Sequence, residues 1–243
     1  ELQTADYSSL RWIMSGATPV PVTLIERYAE LGIEIHQVYG LTECGGPACL
    51  ISPDEALAHI GSTGKSFFHT DVRVVSPHGE NVAPGEPGEV IIRAQHNMLG
   101  YWNQPEATKE AFKDGWLLTG DVALIDEDGF ITIHDRIKGM VISGGENIYP
   151  AELEDVILSH PEVREVAVIG QPSERWGESP FAVIVRAPDA TLDTSQLLAY
   201  CATRLASFKL PQGAAFVDEI PRNPTGKALK RLLRETFPGP APQ

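Results

Sequence analysis

"WLLTGDVALIDEDGFITIHDRIKGMVISGGENIYPAELE", residues 116–154, contains the change of pattern that decides the fold. Its first half is made of short β-rich runs, GWLLTGDVALI and GFITIH. They are joined by DEDG (126–129), whose residues favour a hairpin turn. Its second half opens a different pattern. Pro150 stands at a tolerated first helical position and is followed by AELEDVIL, with acids in the first turn. DRIKG (135–139) joins the two, so the clearest boundary in the chain lies there.

Upstream, DVRVVS and GEVIIRA are further short strands, and HGEN (78–81) is a second hairpin turn. Residues 61–134 therefore read as a small antiparallel sheet or barrel. Before them, RWIMS (11–15) reads as a buried strand ending at a turn, 16–19. Residues 20–31 read as a helix with Leu24, Ile25, Tyr28 and Leu31 on one face and Gly32 at its C-terminal end. IEIHQVYG (33–40) alternates and reads as a strand. The order β-α-β is that of a layered α/β sheet. Downstream of the boundary, VREVAVIG and FAVIVRA read as strands, SQLLAYCATRLASF and GKALKRLLRETF as helices, and PGPAPQ as a disordered tail. The expected fold class is thus mixed α/β and α+β. The end of a layered α/β domain (1–60) leads to an antiparallel β-rich subdomain (61–135), a short connection (136–138) and an α+β C-terminal domain (139–243).

A chain of 243 residues can bury one large or two smaller cores. With 42% apolar and 21% charged residues it has the balance of an ordinary soluble protein. No apolar run is long enough to span a bilayer and no leader pattern is present, so a cytoplasmic location is expected. The three cysteines, Cys44, Cys49 and Cys201, fit reduced thiols, and neither they nor the seven histidines are spaced as a structural metal site. A net charge of −14 argues against nucleic acid as a partner. From Arg204 onward the balance reverses to a surplus of four positive charges. That region would either meet an anionic ligand or form a solvated helix face. The chain opens at Glu1, inside an amphipathic pattern, which is what a fragment of a longer protein would show.

One tempting motif fails. GSTGKS (61–66) resembles the end of a phosphate-binding loop, but the spacing G-x-x-x-x-G-K-S places His59 where the first glycine belongs. The segment also precedes a strand, DVRVV, instead of opening a helix. It reads as a connection into the β-rich region.

Three other stretches carry stronger chemistry. In VYGLTECGG (38–46), an aromatic face, a hydroxyl and a carboxylate follow a strand end. Tyr39 could stack a purine, Thr42 bond a phosphate, and Glu43 hold Mg2+ together with substrate phosphates. In 116–154, Asp121 follows a glycine, Arg136 lies beyond the hairpin, and Gly144-Gly145 would let another molecule approach the backbone. In PRNPTGKALKRLL (221–233), Lys227 stands at or just before a helix start, where anions are favoured. Taken one at a time, these stretches are equally a polar loop, tight turns and a basic helix start.

Taken in order, they resemble the adenylate-forming acyl-CoA synthetases. The matching pieces run from SGATP (15–19) through YGLTE, GYWNQPEAT (100–108), GWLLTGD (115–121), DRIKGMVISGGENIYPAELE (135–154) and RWGE (175–178) to PRNPTGK (221–227). The resemblance implies two steps: a carboxylic acid and ATP give acyl-AMP and pyrophosphate, and CoA then displaces AMP. Between the steps the C-terminal domain swings about a hinge, here Lys138.

The resemblance also implies the roles. Gly16, Ala17 and Thr18 would line adenine and the acyl group, and Tyr39 would stack the adenine. Thr42 would contact phosphate and Glu43 would ligate Mg2+. Asp121 would bind the ribose hydroxyls, with Arg136 as its partner. Lys227 would be the catalytic lysine of adenylation. Gly144 and Gly145 would border the pantetheine tunnel, Trp176 and Phe208 would flank the CoA nucleotide, and Lys209 would lie near its phosphates. His36, Gly45, Gly46 and Pro47 would touch the acyl chain.

Many relatives carry an acidic residue just after the hinge, where this chain has Gly139. In the family the phosphate loop lies upstream of the first residue here, so this piece alone is expected to be nearly inactive. SGGENIYPAELE, RWGE and FKLP resemble ligases of fatty and aryl acids more than peptide-synthetase domains. The expected co-substrates are a hydrophobic carboxylic acid, ATP with Mg2+, and CoA. A lysine acetyltransferase acting on Lys227 is a candidate partner, because acetylation would remove the charge the first step needs. Homo-oligomer formation is left open. The competing readings are an adenylating enzyme with another acyl acceptor and a non-catalytic binding fragment.

Overall fold

The computed structural model describes residues 6–16, 20–224 and 226–239. Ala17 and Thr18 and the last four residues of the tail lie outside the described residues. The chain divides into two compact units, Glu1–Ile137 and Lys138–Gln243.

In the first unit, β1 (Trp12–Ser15), α1 (Val22–Ala29) and β2 (Glu34–Leu41) form the expected β-α-β step, with β1 and β2 parallel. α1 buries only Ile25; Leu24 and Leu31 stay exposed, because the helix packs on the sheet along one narrow side. β2 continues antiparallel to β3 (Gly46–Leu50), and β3 to β4 (Lys65–Ser66). A register shift in the β2–β3 ladder falls between Tyr39 and Gly40. Such irregularities re-aim side chains at the end of a strand.

The second sheet is antiparallel: β5 (Thr70–Val75), β6 (Gly88–Ala94), β7 (Phe112–Lys113), β8 (Trp116–Ile125) and β9 (Ile131–Arg136). β8 is the hub, pairing with β6, β7 and β9. Among the described residues β5 and β9 do not pair, so this is an open sheet and not a barrel. A short helix, α2 (Pro105–Ala111), precedes β7. Both hairpin turns form: Ser76 N–H donates to Glu80 O (2.8 Å) and Asp126 N–H to Phe130 O (3.0 Å). The two sheets share one core in which Tyr39, Cys44, Ala48 and Cys49 pack with Val74, Val90, Ile92, Leu117, Ala123 and Ile131.

GSTGKS stitches these sheets together. Thr63 N–H donates to Ile131 O (2.8 Å), Ile131 N–H returns to Gly64 O (2.9 Å), and the Ser62 and Thr63 hydroxyls both donate to Ile131 O. Gly64 has φ +85° and lies so close to the Leu50–Ile51 peptide that a Cβ would clash with it. Lys65 sits 4.1 Å from the Phe130 ring and pairs with Glu55. The amides that would cradle a phosphate are spent inside the fold, Ser62 N–H on His59 O, Thr63 N–H on Ile131 O and Gly64 N–H on Ser62 Oγ.

All three cysteines are free and buried. Burial, with the neighbouring Cys44 sulfur adding to it, pushes the Cys49 thiol up to about 12. The unfolded chain ionises this thiol from about pH 8.5, and the folded one does not. Because the folded value is the higher one, stability present below the unfolded pKa is lost as pH rises. The loss from this group approaches ~1.4 kcal/mol per pH unit above about pH 9. Urea unfolding between pH 8 and 10.5 should show that slope, and Cys49→Ala should flatten it relative to the parent.

In the second unit, β10 (Val141–Ser143), β11 (Glu146–Ile148), β12 (Val163–Ser173), β13 (Gly177–Arg186) and β14 (Gly213–Phe216) form one sheet, with β14 parallel to β13. α3 (Pro150–Leu158) and α4 (Thr194–Ala202) cover the face of Val168, Ala182 and Ile184. α5 (Lys230–Thr236) covers the face of Ala167, Ile169, Val183 and Val185 through Leu233. Where both faces are covered, the centres of the two long strands, residues 166–170 and 180–185, are unbroken apolar runs, as a doubly covered sheet requires.

Two helices are shorter than the sequence suggests. α4 begins at a capping box, Asp193 accepting from Gln196 N–H (2.8 Å) while Gln196 accepts from Asp193 N–H (2.9 Å). It ends at Ala202, and Leu205 then turns into the core. α5 begins only at Lys230, because residues 222–228 close a small hairpin in which Arg222 bridges Ala228.

Candidate active site

Asp121 organises the chemistry of the first unit. β8 and β9 pair Asp121 directly with Arg136, with a register shift beginning after Val122. The carboxylate is buried, with 5% of the residue exposed. Tyr39 Oη donates to Asp121 Oδ2 (2.7 Å), and Arg136 Nε lies 3.0 Å from Oδ1. Thr119 Oγ1 accepts from Asp121 N–H (3.0 Å) and itself donates to Val90 O (2.7 Å), so the middle of β8 is pinned beneath the carboxylate. A carboxylate has about four acceptor positions, and the Tyr39 and Arg136 contacts occupy two of them among the described residues.

Tyr39 is less available than the sequence implies. It is 8% exposed and belongs to the core, and burial together with the Asp121 charge raises its phenol far above the ordinary tyrosine value. Its clearest local task is to hold Asp121. Gly16 lies against β2, where a Cβ would stand 2.7 Å from Val38 Cγ1 and 2.9 Å from Val38 O.

Thr42 and Glu43 lie in a single 3-10 turn, Thr42–Cys44, after β2. Thr42 is exposed and Glu43 half-buried. Three residues of the 96–101 segment hold this turn. His96 Nδ1 bonds Cys44 O, Met98 N–H donates to Glu43 O (2.7 Å), and Tyr101 Oη donates to Glu43 Oε1 (3.0 Å). Of the three, only Tyr101 lies in GYWNQPEAT, where the sequence assigns it no role, because nothing local links it to Glu43 58 positions upstream. His36 is buried, bonded to Glu34 and stacked on Trp12.

No group of three or more His, Cys, Asp or Glu side chains could hold a metal among the described residues. A single carboxylate suits Mg2+, which binds one or two carboxylates along with substrate phosphates and water. Glu43, whose Oε2 has no protein partner among the described residues, fits that pattern.

In the second unit Lys227 is exposed, on a turn fixed by its own backbone. Lys227 N–H donates to Asn223 Oδ1 (2.8 Å), and Asn223 N–H donates to Lys227 O (2.9 Å). Arg222 donates to Gly226 O (2.7 Å) and to Glu165 (2.7 Å). The basic surplus is largely neutralised by carboxylates: Lys209 pairs with Glu152, Arg222 with Glu165, Lys230 with Glu154 and Arg231 with Glu235. Lys227 has no ion pair among the described residues. It precedes the helix by three residues, so the turn and not a helix N-terminus presents it.

The residues expected around CoA divide. Gly144 has φ +60°, and its N–H donates to Trp176 O (2.8 Å). A Cβ there would stand 2.8 Å from Trp176 Cε3. Trp176 and Phe208 are exposed, and Arg175 lies 4.4 Å from the Trp176 ring. Lys209, however, is held by both oxygens of Glu152 at 2.7 Å, so its charge is already compensated. Lys138 is exposed and opens the second unit. Gly144→Ala should cost about 1–2 kcal/mol, from the left-handed backbone and the displaced indole. Chemical denaturation with Trp176 fluorescence as the probe measures both.

Comparison with known proteins places this geometry. The AMP-binding enzyme family matches residues 1–102, and the AMP-binding enzyme C-terminal domain matches 152–227. The chain is 47% identical to the long-chain-fatty-acid–CoA ligase FadD13 of Mycobacterium tuberculosis, over all of this chain and 48% of that protein. It is similar to the o-succinylbenzoate CoA synthetase of Bacillus subtilis solved with its acyl-adenylate intermediate. That match has TM-score 0.87 and 36% identity, and covers 96% of this chain and 48% of that one. The same enzyme with ATP and magnesium matches at TM-score 0.83 and 37% identity, covering 92% and 46%. The amide bond synthetase McbA of Marinactinospora thermotolerans matches at TM-score 0.89 and 33% identity, covering 97% and 49%. The chain spans about half the length of the proteins it matches. Through both of its parts, the chain belongs to the family of AMP-binding, adenylate-forming enzymes.

Proposed function

We propose that this chain is the C-terminal half of an AMP-forming acid–CoA ligase acting on a hydrophobic carboxylic acid, fatty or aryl. The observation that carries the reading is Asp121, a buried carboxylate held by Tyr39 and Arg136 with acceptor positions to spare. It offers a ribose diol two anionic acceptors on a rigid strand. At the other end of the nucleotide, Thr42 bonds phosphate and Glu43 supplies the carboxylate for Mg2+. That ion, when bound, neutralises phosphate charge. Lys227, the uncompensated cation on its fixed turn, bridges the attacking carboxylate and the α-phosphate, two anions that otherwise repel each other. Lys138 is the pivot that brings Lys227 in for the first step and withdraws it for the second. Gly144, Gly145, Trp176 and Phe208 serve the thiol step. The chain spans about half the length of its relatives, and the isolated piece is expected to be nearly inactive.

The test uses the full-length enzyme with Mg-ATP, straight-chain, branched and aromatic acids, and CoA present or omitted. CoA-dependent thioester with stoichiometric AMP is the expected result, and the best acid defines the substrate. Two observations favour a second reading, in which the acyl group passes to an amine. Lys209 is already paired, and an amide bond synthetase shares the fold closely. Acyl-AMP that accumulates with CoA but is discharged by amines would establish that reading.

A further inference from the structure

We propose that Tyr101 is a positioning residue for the Glu43 carboxylate, holding it in the one orientation in which its second oxygen can ligate Mg2+. The inference rests on the reading of Glu43 as the Mg2+ ligand. The geometry is specific. Glu43 lies on a one-turn 3-10 segment whose own hydrogen bonds leave the carboxylate unsupported. Its backbone is anchored to the neighbouring loop, Met98 N–H donating to Glu43 O at 2.7 Å. Its side chain is anchored three residues further along the same loop, where Tyr101 Oη donates to Oε1 at 3.0 Å. The loop is itself fixed from α2. Thr108 Oγ1 accepts from Tyr101 N–H (2.9 Å) and donates to Gln104 O (2.8 Å). Gly100 lets the chain pass against Thr108, where a Cβ would meet Thr108 Cγ2 at 2.7 Å.

The chain of contacts therefore runs from α2 through Thr108 and Tyr101 to Glu43 Oε1 and stops there. Oε2 has no protein partner among the described residues. A ligating carboxylate left free would rotate among several orientations, and the ion would have to select one. Hydrogen-bond partners behind metal ligands typically set metal affinity by about 10–100-fold. Because the Tyr101 contact is partly open to water, the lower end of that range is expected.

The test is made on the full-length enzyme with Tyr101→Phe, which removes only the hydroxyl, and Thr108→Val, which loosens the loop from α2. Mn2+ binding in the presence of ATP, followed by electron paramagnetic resonance, should weaken about tenfold in Tyr101→Phe and by a smaller factor in Thr108→Val. The Mg2+ concentration for half-maximal adenylation should rise by the same factors. At saturating Mg2+, kcat and the KM of the acid should return to within about twofold of the parent. A fall in kcat that excess Mg2+ does not restore, or unchanged Mn2+ binding, would overturn the proposal. Glu43→Gln is the reference. If it leaves Mn2+ binding intact, the Mg2+ reading of Glu43 fails. If it abolishes binding and Tyr101→Phe does not weaken it, only the positioning role fails.

Discussion

Lys227→Ala should slow adenylate formation by about 10²–10³-fold while leaving the folded chain intact. Removing one preorganised donor to a developing negative charge has effects of this size. The structure sharpens the expectation in two ways. The turn that carries Lys227 is closed by Asn223 and Arg222 through backbone atoms, so truncating the side chain breaks none of those bonds. Lys227 also has no ion pair among the described residues, so its loss strands no carboxylate. Unfolding free energy should therefore stay within about 0.5 kcal/mol of the parent, as for other surface substitutions. The measurement separates the half-reactions: pyrophosphate release from acid and ATP on one side, thioester from supplied acyl-AMP and CoA on the other. The first should collapse and the second persist. Acetylation of the amine should reproduce the pattern, because it removes the same charge. Equal loss of both half-reactions would assign Lys227 to something other than adenylation.

Asp121 should behave in the opposite way, with function and stability both at stake but separable. In Asp121→Ala the Tyr39 hydroxyl loses its acceptor inside a core where it is 8% exposed, which should cost about 1–3 kcal/mol. The Arg136 contact adds little, because that guanidinium is 57% exposed and its charge is screened. Asp121→Asn keeps an acceptor for Tyr39 and should cost less than about 1 kcal/mol. With Asp121 binding the ribose diol as proposed, both variants lose that anionic acceptor, and kcat/KM for ATP in the full-length enzyme should fall about 100-fold in each, equivalent to ~2.7 kcal/mol of transition-state stabilisation. An asparagine variant with unchanged ATP kinetics would leave Asp121 a purely structural residue.

Much of this was legible in the chain because local rules carry it. The β-α-β opening, the two hairpin turns and the Pro150 helix follow from short-range periodicity and turn residues, and all three form as expected. The failure of GSTGKS as a phosphate loop also followed from spacing alone. Helix ends were less legible. Lys227 looked like a helix-start lysine, but the chain before α5 pairs with itself across Arg222 and Ala228, and no local pattern announces that bridge.

The amino-acid sequence by itself determined the order of elements, the break near DRIKG and the presence of Glu43, Asp121, Arg136 and Lys227 in the spacing of one enzyme family. It could do so because turns, amphipathic periods and motif spacings are properties of neighbouring residues. Only the tertiary structure decided which of these groups are engaged. Tyr39 reaches across 82 positions to Asp121, Tyr101 across 58 to Glu43, and Lys209 across 57 to Glu152. Those pairings depend on sheet register and on which loops a shared core brings together, and hydrogen-bond energies resolve them only once the backbone has been placed. Whether a charge is free to meet a substrate is decided there, and it separates Lys227 from Lys209, Arg222, Lys230 and Arg231, each of which is paired with a carboxylate.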